Sequence, residues 1–528
     1  MSKPSADFSS VVTLTDLGFS WPDGTTALAG VNGVFGPGRT GLVGANGAGK
    51  STLLRLIAGE LTATTGRIAT VGEVAYLPQL LTLDVGVSIA ELLGVAGQLV
   101  ALRAIERGDA DAVHFEILGD AWDIEARADA ALRPIGLSSA DLERRAGELS
   151  GGEAMAVALT GLCLQPAPIT LLDEPTNNLD RAARERLAQL VGSWPGALIV
   201  ASHDTALLEQ MDNIAELYDG RLAGFGGPYS AWRAHLDAEQ AAARAAARAA
   251  EQLVKVEKRQ RVEAETKLAR RSRATRSSYD NKRAAKIVMN QNASNAQVSA
   301  GRLRTGLDRR VRDAQAGFDA ASVRVRDDER IRVTLPDPDV PSSRRLAELP
   351  GGAGPVIVQG PERIALDGPN GVGKTSLLEA LLAGASGRLL THRVGYLPQR
   401  LDHLDDTVSA FDAVSAVSGS EPRAVRAQLA RFLLDAAGVA RPIGTLSGGE
   451  RFRVALAQLL LADPPPQLLL LDEPTNNLDL ASVDQLVEAL AGYRGAFIVV
   501  SHDDAFLARL GLTRTLRMPH RGELIEAG

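Results

Sequence analysis

With only one cysteine, Cys163, in 528 residues, the chain can form no internal disulfide, and a reducing compartment is expected. The N-terminus has no basic stretch followed by an apolar run, which argues against a cleaved secretory signal. Long apolar runs are scarce. The uncharged stretch 154–172 contains Gln165, Pro166 and Pro168, and reads as buried helix, loop and buried strand rather than a membrane span. No integral membrane segment and a cytoplasmic location are therefore expected. Net positive charge is lacking as well: the formal charge of −7 gives the whole molecule no pull toward nucleic acid and leaves that role to a local basic segment. The length exceeds what one hydrophobic core supports, so two to four domains are expected.

What the chain does have is repetition. LLDEPTNNLD occurs at 171–180 and again, letter for letter, at 470–479. GANGAGKST (44–52) recurs as GPNGVGKTS (368–376), YLPQ (76–79) at 396–399, LSGGE (149–153) at 446–450 and SHD (202–204) at 501–503. The copies stand 324 residues apart at the loop lysines, 320 at the glutamines, 297 at the LSGGE serines and 299 at the acidic block. The first copy therefore carries an insertion within about 92–141, helical and acidic in pattern. Between the copies lies a different sequence. It opens with AAARAAARAA, strong helix formers with Arg244 and Arg248 on one face. Residues 233–332 hold 24 Lys/Arg against 13 Asp/Glu, a net of +11. The Asn/Ser cluster at 290–299, followed by Gly301 and Gly306, predicts a turn between two helices. A basic antiparallel helical hairpin is expected over 229–332, flanked by domains at 8–228 and 333–528.

GANGAGKS fits the phosphate-loop pattern G-x-x-x-x-G-K-[ST]. Gly44, Gly47 and Gly49 let backbone N–H groups converge on phosphate oxygens, Lys50 would neutralise the β- and γ-phosphates, and Ser51 would place a hydroxyl on Mg²⁺. Gly368, Gly371, Gly373, Lys374 and Thr375 repeat the device. ITLLDEP and LLLLDEP supply apolar strands ending in two acids. Asp173 and Asp472 would hold Mg²⁺ through water, and Glu174 and Glu473 would polarise the attacking water.

In this order, phosphate loop, YLPQ, LSGGE, LLDEPTNNLD and SHD resemble the nucleotide-binding domain of ATP-binding cassette (ABC) proteins, twice over. The resemblance implies an α/β fold: two ABC-type P-loop NTPase domains joined by a long α-helical hairpin linker, closing head-to-tail over two ATP molecules. Asn46, Thr52, Asn370 and Ser376 belong to the matched loops. Lys50 and Ser51 would face Ser447, Gly448, Gly449 and Glu450 across one nucleotide. Lys374 and Thr375 would face Ser150, Gly151, Gly152 and Glu153 across the other. Gln79 and Gln399 would sense γ-phosphate and metal, His203 and His502 would contact the γ-phosphate, and Asp180 and Asp479 would sit at the crossing between the sites. Trp21, 29 residues before Lys50, either stacks on adenine or is an ordinary half-buried aromatic.

The halves differ. Counting 29 back from Lys374 lands on Arg345, with no aromatic between Phe318 and Tyr396. LSGGE is followed by Ala154-Met155-Ala156 in one half and Arg451-Phe452-Arg453 in the other. Both departures fall on the Lys374/Ser150 site, which is therefore expected to handle ATP differently.

The fused pair and its charged linker resemble the ABC-F subfamily. That implies a monomeric ATPase acting on the ribosome, its linker entering from the E site toward P-site tRNA and rRNA. Arg270, Arg271, Arg273, Arg276, Lys282, Arg283 and Lys286 would supply RNA phosphate contacts. The subfamily's roles include translation regulation and antibiotic resistance by ribosome protection. An importer ATPase with separate membrane chains, or a DNA-associated ABC ATPase, remains the alternative. The chain ends soon after the second SHD, without the C-terminal coiled coil of some DNA-associated relatives, which weighs against DNA.

Overall fold

A computed structural model describes residues 12–79, 86–149, 151–177, 179–280, 286–326, 335–352, 354–434, 436–476 and 478–526. The first cassette runs β1 (Val12–Ser20), β2 (Thr26–Phe35), β3 (Arg39–Val43), β4 (Thr65–Thr70), β5 (Val74–Leu77), β6 (Ile169–Asp173), β7 (Ala197–Ala201), β8 (Asn213–Tyr218) and β9 (Arg221–Gly226). The second runs β10 (Arg345–Leu349), β11 (Val356–Gln359), β12 (Arg363–Asp367), β13 (Arg388–Leu389), β14 (Val394–Leu397), β15 (Leu468–Asp472), β16 (Ala496–Val500), β17 (Arg514–His520) and β18 (Glu523–Glu526).

Each cassette has a six-stranded sheet, ordered β5-β6-β7-β3-β8-β9 in the first and β14-β15-β16-β12-β17-β18 in the second, parallel except for the last hairpin. β6, β7, β15 and β16 are buried at every position, as continuous apolar strands covered on both faces must be. Antiparallel three-stranded sheets, β2-β1-β4 and β11-β10-β13, form the edges. The phosphate loops leave the carboxyl ends of β3 and β12, the acid pairs those of β6 and β15, and the SHD segments those of β7 and β16. In parallel α/β sheets this is the edge where ligands bind.

The extra residues of the first half form helices Ala96–Glu106 and Ala112–Leu118, ahead of helix Ile124–Leu132, which corresponds to Pro422–Arg431 of the second half. Their Leu99, Leu102, Leu118, Ile124 and Leu132 share one core with Val157 of helix Gly151–Leu164, so the insertion enlarges the helical subdomain.

Residues 230–328 form a compact unit of their own. Its helices are Tyr229–Asp280, 52 residues, and Lys286–Ser322, 37 residues. They run antiparallel: Gln240 Nε2 donates to Arg324 O at 3.5 Å, the Arg326 N–H donates to Gln240 Oε1 at 2.8 Å, and Arg261 lies 3.5 Å from Asp308. The turn expected at 290–306 is not there. Those residues are helical, and 281–285, which separate the two helices in the sequence, lie outside the described residues. Asn, Ser and Gly cost a helix only about 0.5–1 kcal/mol each, too little to break a paired helix of this length. Among the described residues no helix is long and apolar enough to cross a membrane.

Candidate nucleotide site

Gly49 and Gly373 hold the N-cap positions of helices Lys50–Ile57 and Lys374–Leu382 at φ 98° and 105°, a left-handed conformation that glycine adopts without strain. Neither helix has a side-chain cap, so the first-turn amides and the helix dipole are left facing the loop as an anion seat. Lys50 is 7% exposed and its Nζ donates to Gly44 O at 2.8 Å and Ala45 O at 3.2 Å. Lys374 repeats this on Gly368 O (2.6 Å) and Pro369 O (3.0 Å), and also stands 3.0 Å from His502 Nε2. Burial pulls both lysine pKa values down, opposed chiefly by the charges of Glu174 and Glu473. Both ammonium groups are thus buried at the loop, beside acids that hold them charged.

Asp173 and Asp472 are buried at their strand ends. Asp173 Oδ1 and both carboxylate oxygens of Asp472 have no hydrogen-bond partner, while the hydroxyls of Ser51 and Thr375 lie beside them and lower their pKa against the raising effect of burial. Buried carboxylate oxygens next to a hydroxyl suit a hard oxygen-seeking cation, which needs only one or two protein carboxylates when phosphates and water complete its shell.

Glu174 and Glu473 adopt φ 48° and 46°, a region that non-glycine residues rarely occupy. Their amides donate to Ala201 O (2.8 Å) and Val500 O (2.9 Å), which locks the strained turn onto the neighbouring strand. His203 lies 3.3 Å from Glu174, and His502 3.5 Å from Glu473. Burial raises both glutamates, Glu473 to about 7, and depresses both histidines, His502 to about 4, so the imidazoles are neutral. His502 Nε2 also reaches Asn370 Oδ1 at 3.1 Å, placing acid, histidine, lysine and loop asparagine around one point.

The two cassettes meet at these sites. The backbone N–H of Asn46, in the first phosphate loop, donates to Asp479 Oδ2 at 2.8 Å, from the second acidic block. Asp479 also caps helix Leu480–Gly492 by accepting from Ser482 N at 2.8 Å. A Cβ on Gly449 would stand 3.5 Å from Ser482 Oγ, so the second LSGGE lies against that same turn. Loop, acidic block and signature helix are linked in trans. Ser447 and Glu450 form a capping box that starts helix Gly448–Leu460, a structural role for Glu450 that the motif alone did not reveal. Arg453, buried mainly at the expense of its hydration, is held by the charges of Glu450 and Asp479, and its Nε has no partner. Ala154 and Met155 are simply buried in the other signature helix.

On the opposite side, Asp180 caps helix Arg181–Gly192 by accepting from Ala183 N at 2.9 Å, and its charge acts on both Lys374 and His502. Gly151, Gly152 and Glu153 begin helix Gly151–Leu164; Ser150 lies outside the described residues. Thr52 and Ser376 follow their lysines' neighbours in the first helical turns, and Gln79 and Gln399 are exposed just beyond β5 and β14. Gln399 and Glu473 line one concavity of about 290 Å³ with Gly448.

Trp21 stands at the β1–β2 turn, half-buried, edge-on to Phe19 at 5.0 Å. Its counterpart is not Arg345. Arg345 opens β10 and pairs with Gln359, whereas the β10–β11 turn begins at Pro350. β11 has four residues where β2 has ten, so the ungapped count overshoots. The turn itself, Pro350-Gly-Gly-Ala-Gly-Pro355, has no aromatic.

In the hairpin, Arg270 and Arg273 are exposed on the first helix. Arg271 and Arg276 fall on the same helix and Lys286 begins the second, with side chains outside the description; Lys282 and Arg283 lie in 281–285. Sequence reasoning missed Arg181, which follows the acidic block and ion-pairs with the opposite cassette, and Arg184, which pairs with Asp204 of its own cassette and lines a concavity with Asn476 and Asp503 of the other. Only their asymmetry against Leu480 and Val483 could have signalled them.

Residues 28–177 and 356–476 match the family described as ABC transporter. The tylosin resistance ATP-binding protein TlrC of Streptomyces fradiae is 32% identical, over 92% of this chain and 94% of that protein. An uncharacterized ABC transporter ATP-binding protein of Bacillus subtilis, YfmR, is 31% identical over 89% of this chain and 75% of that one. Among solved structures, an archaeal ribosome recycling factor, aABCE1, in complex with ribosomal stalk protein aP1, aligns with a TM-score of 0.55 at 19% identity, covering 95% of this chain and 87% of that one, a likeness of fold.

Proposed function

Because the chain belongs to the ATP-binding cassette family, in its ABC-F branch, and is accordingly an ATP-binding ATPase, we propose that it acts on the ribosome in the cytoplasm. ATP-driven closure of its two cassettes would set the basic hairpin against rRNA and P-site tRNA, entered from the E site. One observation carries the RNA reading. Between residues 266 and 307, at the joined ends of the two helices, ten Lys/Arg stand against a single acid, Asp280. Elsewhere in the linker the charges nearly balance. A cationic tip on a pair of helices suits phosphate-lined RNA. Translation regulation and protection from a ribosome-targeting drug are the two forms this reading takes, and the tylosin-resistance relative favours the second.

The residue roles are part of the proposal. Lys50 and Lys374, with the open helix amides, hold the nucleotide phosphates. Asp173 with Ser51, and Asp472 with Thr375, fit Mg²⁺, which when bound would neutralise phosphate charge; Gln79 and Gln399 stand ready to reach it. Glu174 and Glu473 accept a proton from water, and the neutral His203 and His502 donate toward the γ-phosphate. Trp21 offers a face to the adenine of the first site only.

Sedimentation tests the ribosome reading. The Glu174→Gln/Glu473→Gln variant with ATP is expected to travel with 70S particles and to be released as salt rises. Absence of ribosome binding, with ATPase stimulated by DNA or the protein retained on membranes, favours the alternatives. A pH profile tests the base. Only ionised Glu473 accepts a proton, so in the Glu174→Gln variant kcat/KM for ATP should be full above pH 7 and fall as pH drops through about 7, the carboxyl's burial-raised pKa. An acid limb near 4.5 removes Glu473 as the base.

A further inference from the structure

We propose that Arg181 and Arg184, in the first cassette, are positioning residues for the ATP site of the second: a clamp in trans that the other site does not possess. The proposal rests on the catalytic reading of Glu473 and His502 given above and adds residues that no motif includes.

Arg181 is the first residue after Asp180, at the head of helix Arg181–Gly192. Its guanidinium bonds Asp504 and lies 3.6 Å from the Asp367 carboxylate. Asp367 ends β12 immediately before the phosphate loop, and Asp504 stands two residues after His502. One arginine from the opposite cassette therefore ties the root of the loop that carries Lys374 to the segment that carries His502, whose side chains meet at 3.0 Å. Arg184, one turn on, pairs with Asp204 at 3.2 Å and donates to Leu179 O at 3.2 Å. It lines one concavity with Thr475, Asn476 and Asp503 of the second cassette.

The pseudo-symmetric positions do not repeat this. Arg181 and Arg184 correspond to Leu480 and Val483, Asp367 to Val43, and Asp504 to Thr205. Four charges present on one side are replaced on the other by residues that cannot form an ion pair. The second signature helix carries a guanidinium of its own, Arg453, beside Glu450 and Asp479 of the same cassette, at the place where the first signature helix has Ala156. Only the helix after the first acidic block sends a guanidinium onto carboxylates of the opposite cassette among the described ion pairs. The second site's closure and proton transfer consequently depend on the first cassette's Arg181–Gly192 helix.

Turnover at the second site is read in the full-length Glu174→Gln variant, and at the first in Glu473→Gln. Adding Arg181→Leu, the residue its counterpart carries, should lower kcat about fivefold in the Glu174→Gln background, the size expected of a partly exposed ion pair, with KM for ATP changed less than about twofold. Arg181→Glu should lower it further, and the exchange Arg181→Asp with Asp504→Arg should restore most of the Arg181→Leu loss. Equal losses in both backgrounds, no loss in Glu174→Gln, or failure of the exchange to restore kcat overturns the clamp. ATP turnover persisting in the Glu174→Gln/Glu473→Gln variant would instead sink the catalytic assignment beneath it.

Discussion

Replacing Glu174 and Glu473 together with glutamine should lower ATP turnover about a thousandfold while ATP affinity stays within about twofold, because general-base removal costs about two to four orders of magnitude. Glutamine preserves the side chain's volume and leaves intact the backbone bonds to Ala201 O and Val500 O, so the strained turn at φ 48° and 46° persists. What disappears is the carboxylate whose raised pKa lets it accept a proton near neutrality. The expected result is a protein that closes over ATP and does not reopen, read as nucleotide retained without phosphate release. The single variants should differ. The first cassette has Trp21 at its β1–β2 turn and the signature helix expected to face it carries Arg453, whereas the second cassette has no aromatic in that turn and the signature helix expected to face it has Ala156. Glu174→Gln is therefore expected to remove the larger share of turnover, and equal losses in the two variants would remove the idea that the sites are unlike.

Asp479→Ala should be nearly as damaging at the first site, for a different reason. One carboxylate accepts from Asn46 N across the cassette boundary at 2.8 Å and from Ser482 N at 2.8 Å, and its charge favours the protonated forms of Lys50 and Arg453. Its backbone and side-chain bonds hold its own pKa below the usual range although it is buried. Truncating one partner of a buried charged network costs about 2–5 kcal/mol, most of it from the groups left unpaired, and loss of the N-cap adds about 1 kcal/mol. First-site turnover in a Glu473→Gln background should fall thirtyfold or more. The chain should also unfold several degrees lower, as a loss of this size predicts. Asp180→Ala, read in the Glu174→Gln background, is the matching measurement on the other side.

The local geometry of each cassette's motifs was legible because it depends on short contiguous patterns. A glycine loop before a helix, an apolar strand ending in two acids and an LSGGE before another helix each carry their local geometry with them. The antiparallel basic hairpin was legible from composition and periodicity. Its turn was not, since the weak local preferences of residues 290–306 were overridden once the chain there was helical and paired with a neighbour. The adenine turn of the second cassette was misplaced because β11 is shorter than β2, a length difference that an ungapped count does not reveal. The capping of its own helix by Glu450 was not legible from LSGGE, because it depends on the backbone geometry at Ser447.

By itself the sequence determined that two phosphate-binding cassettes with paired acids flank a cationic helical rod, since residue types at fixed spacing dictate those local structures. Only the tertiary structure decided which residues act across the boundary. Asn46 and Asp479 are 433 positions apart, and Arg181 and Asp504 are 323 apart. Such pairs meet through the packing of two buried sheets and their helices, and hydrophobic burial specifies that packing without naming the polar groups it brings together.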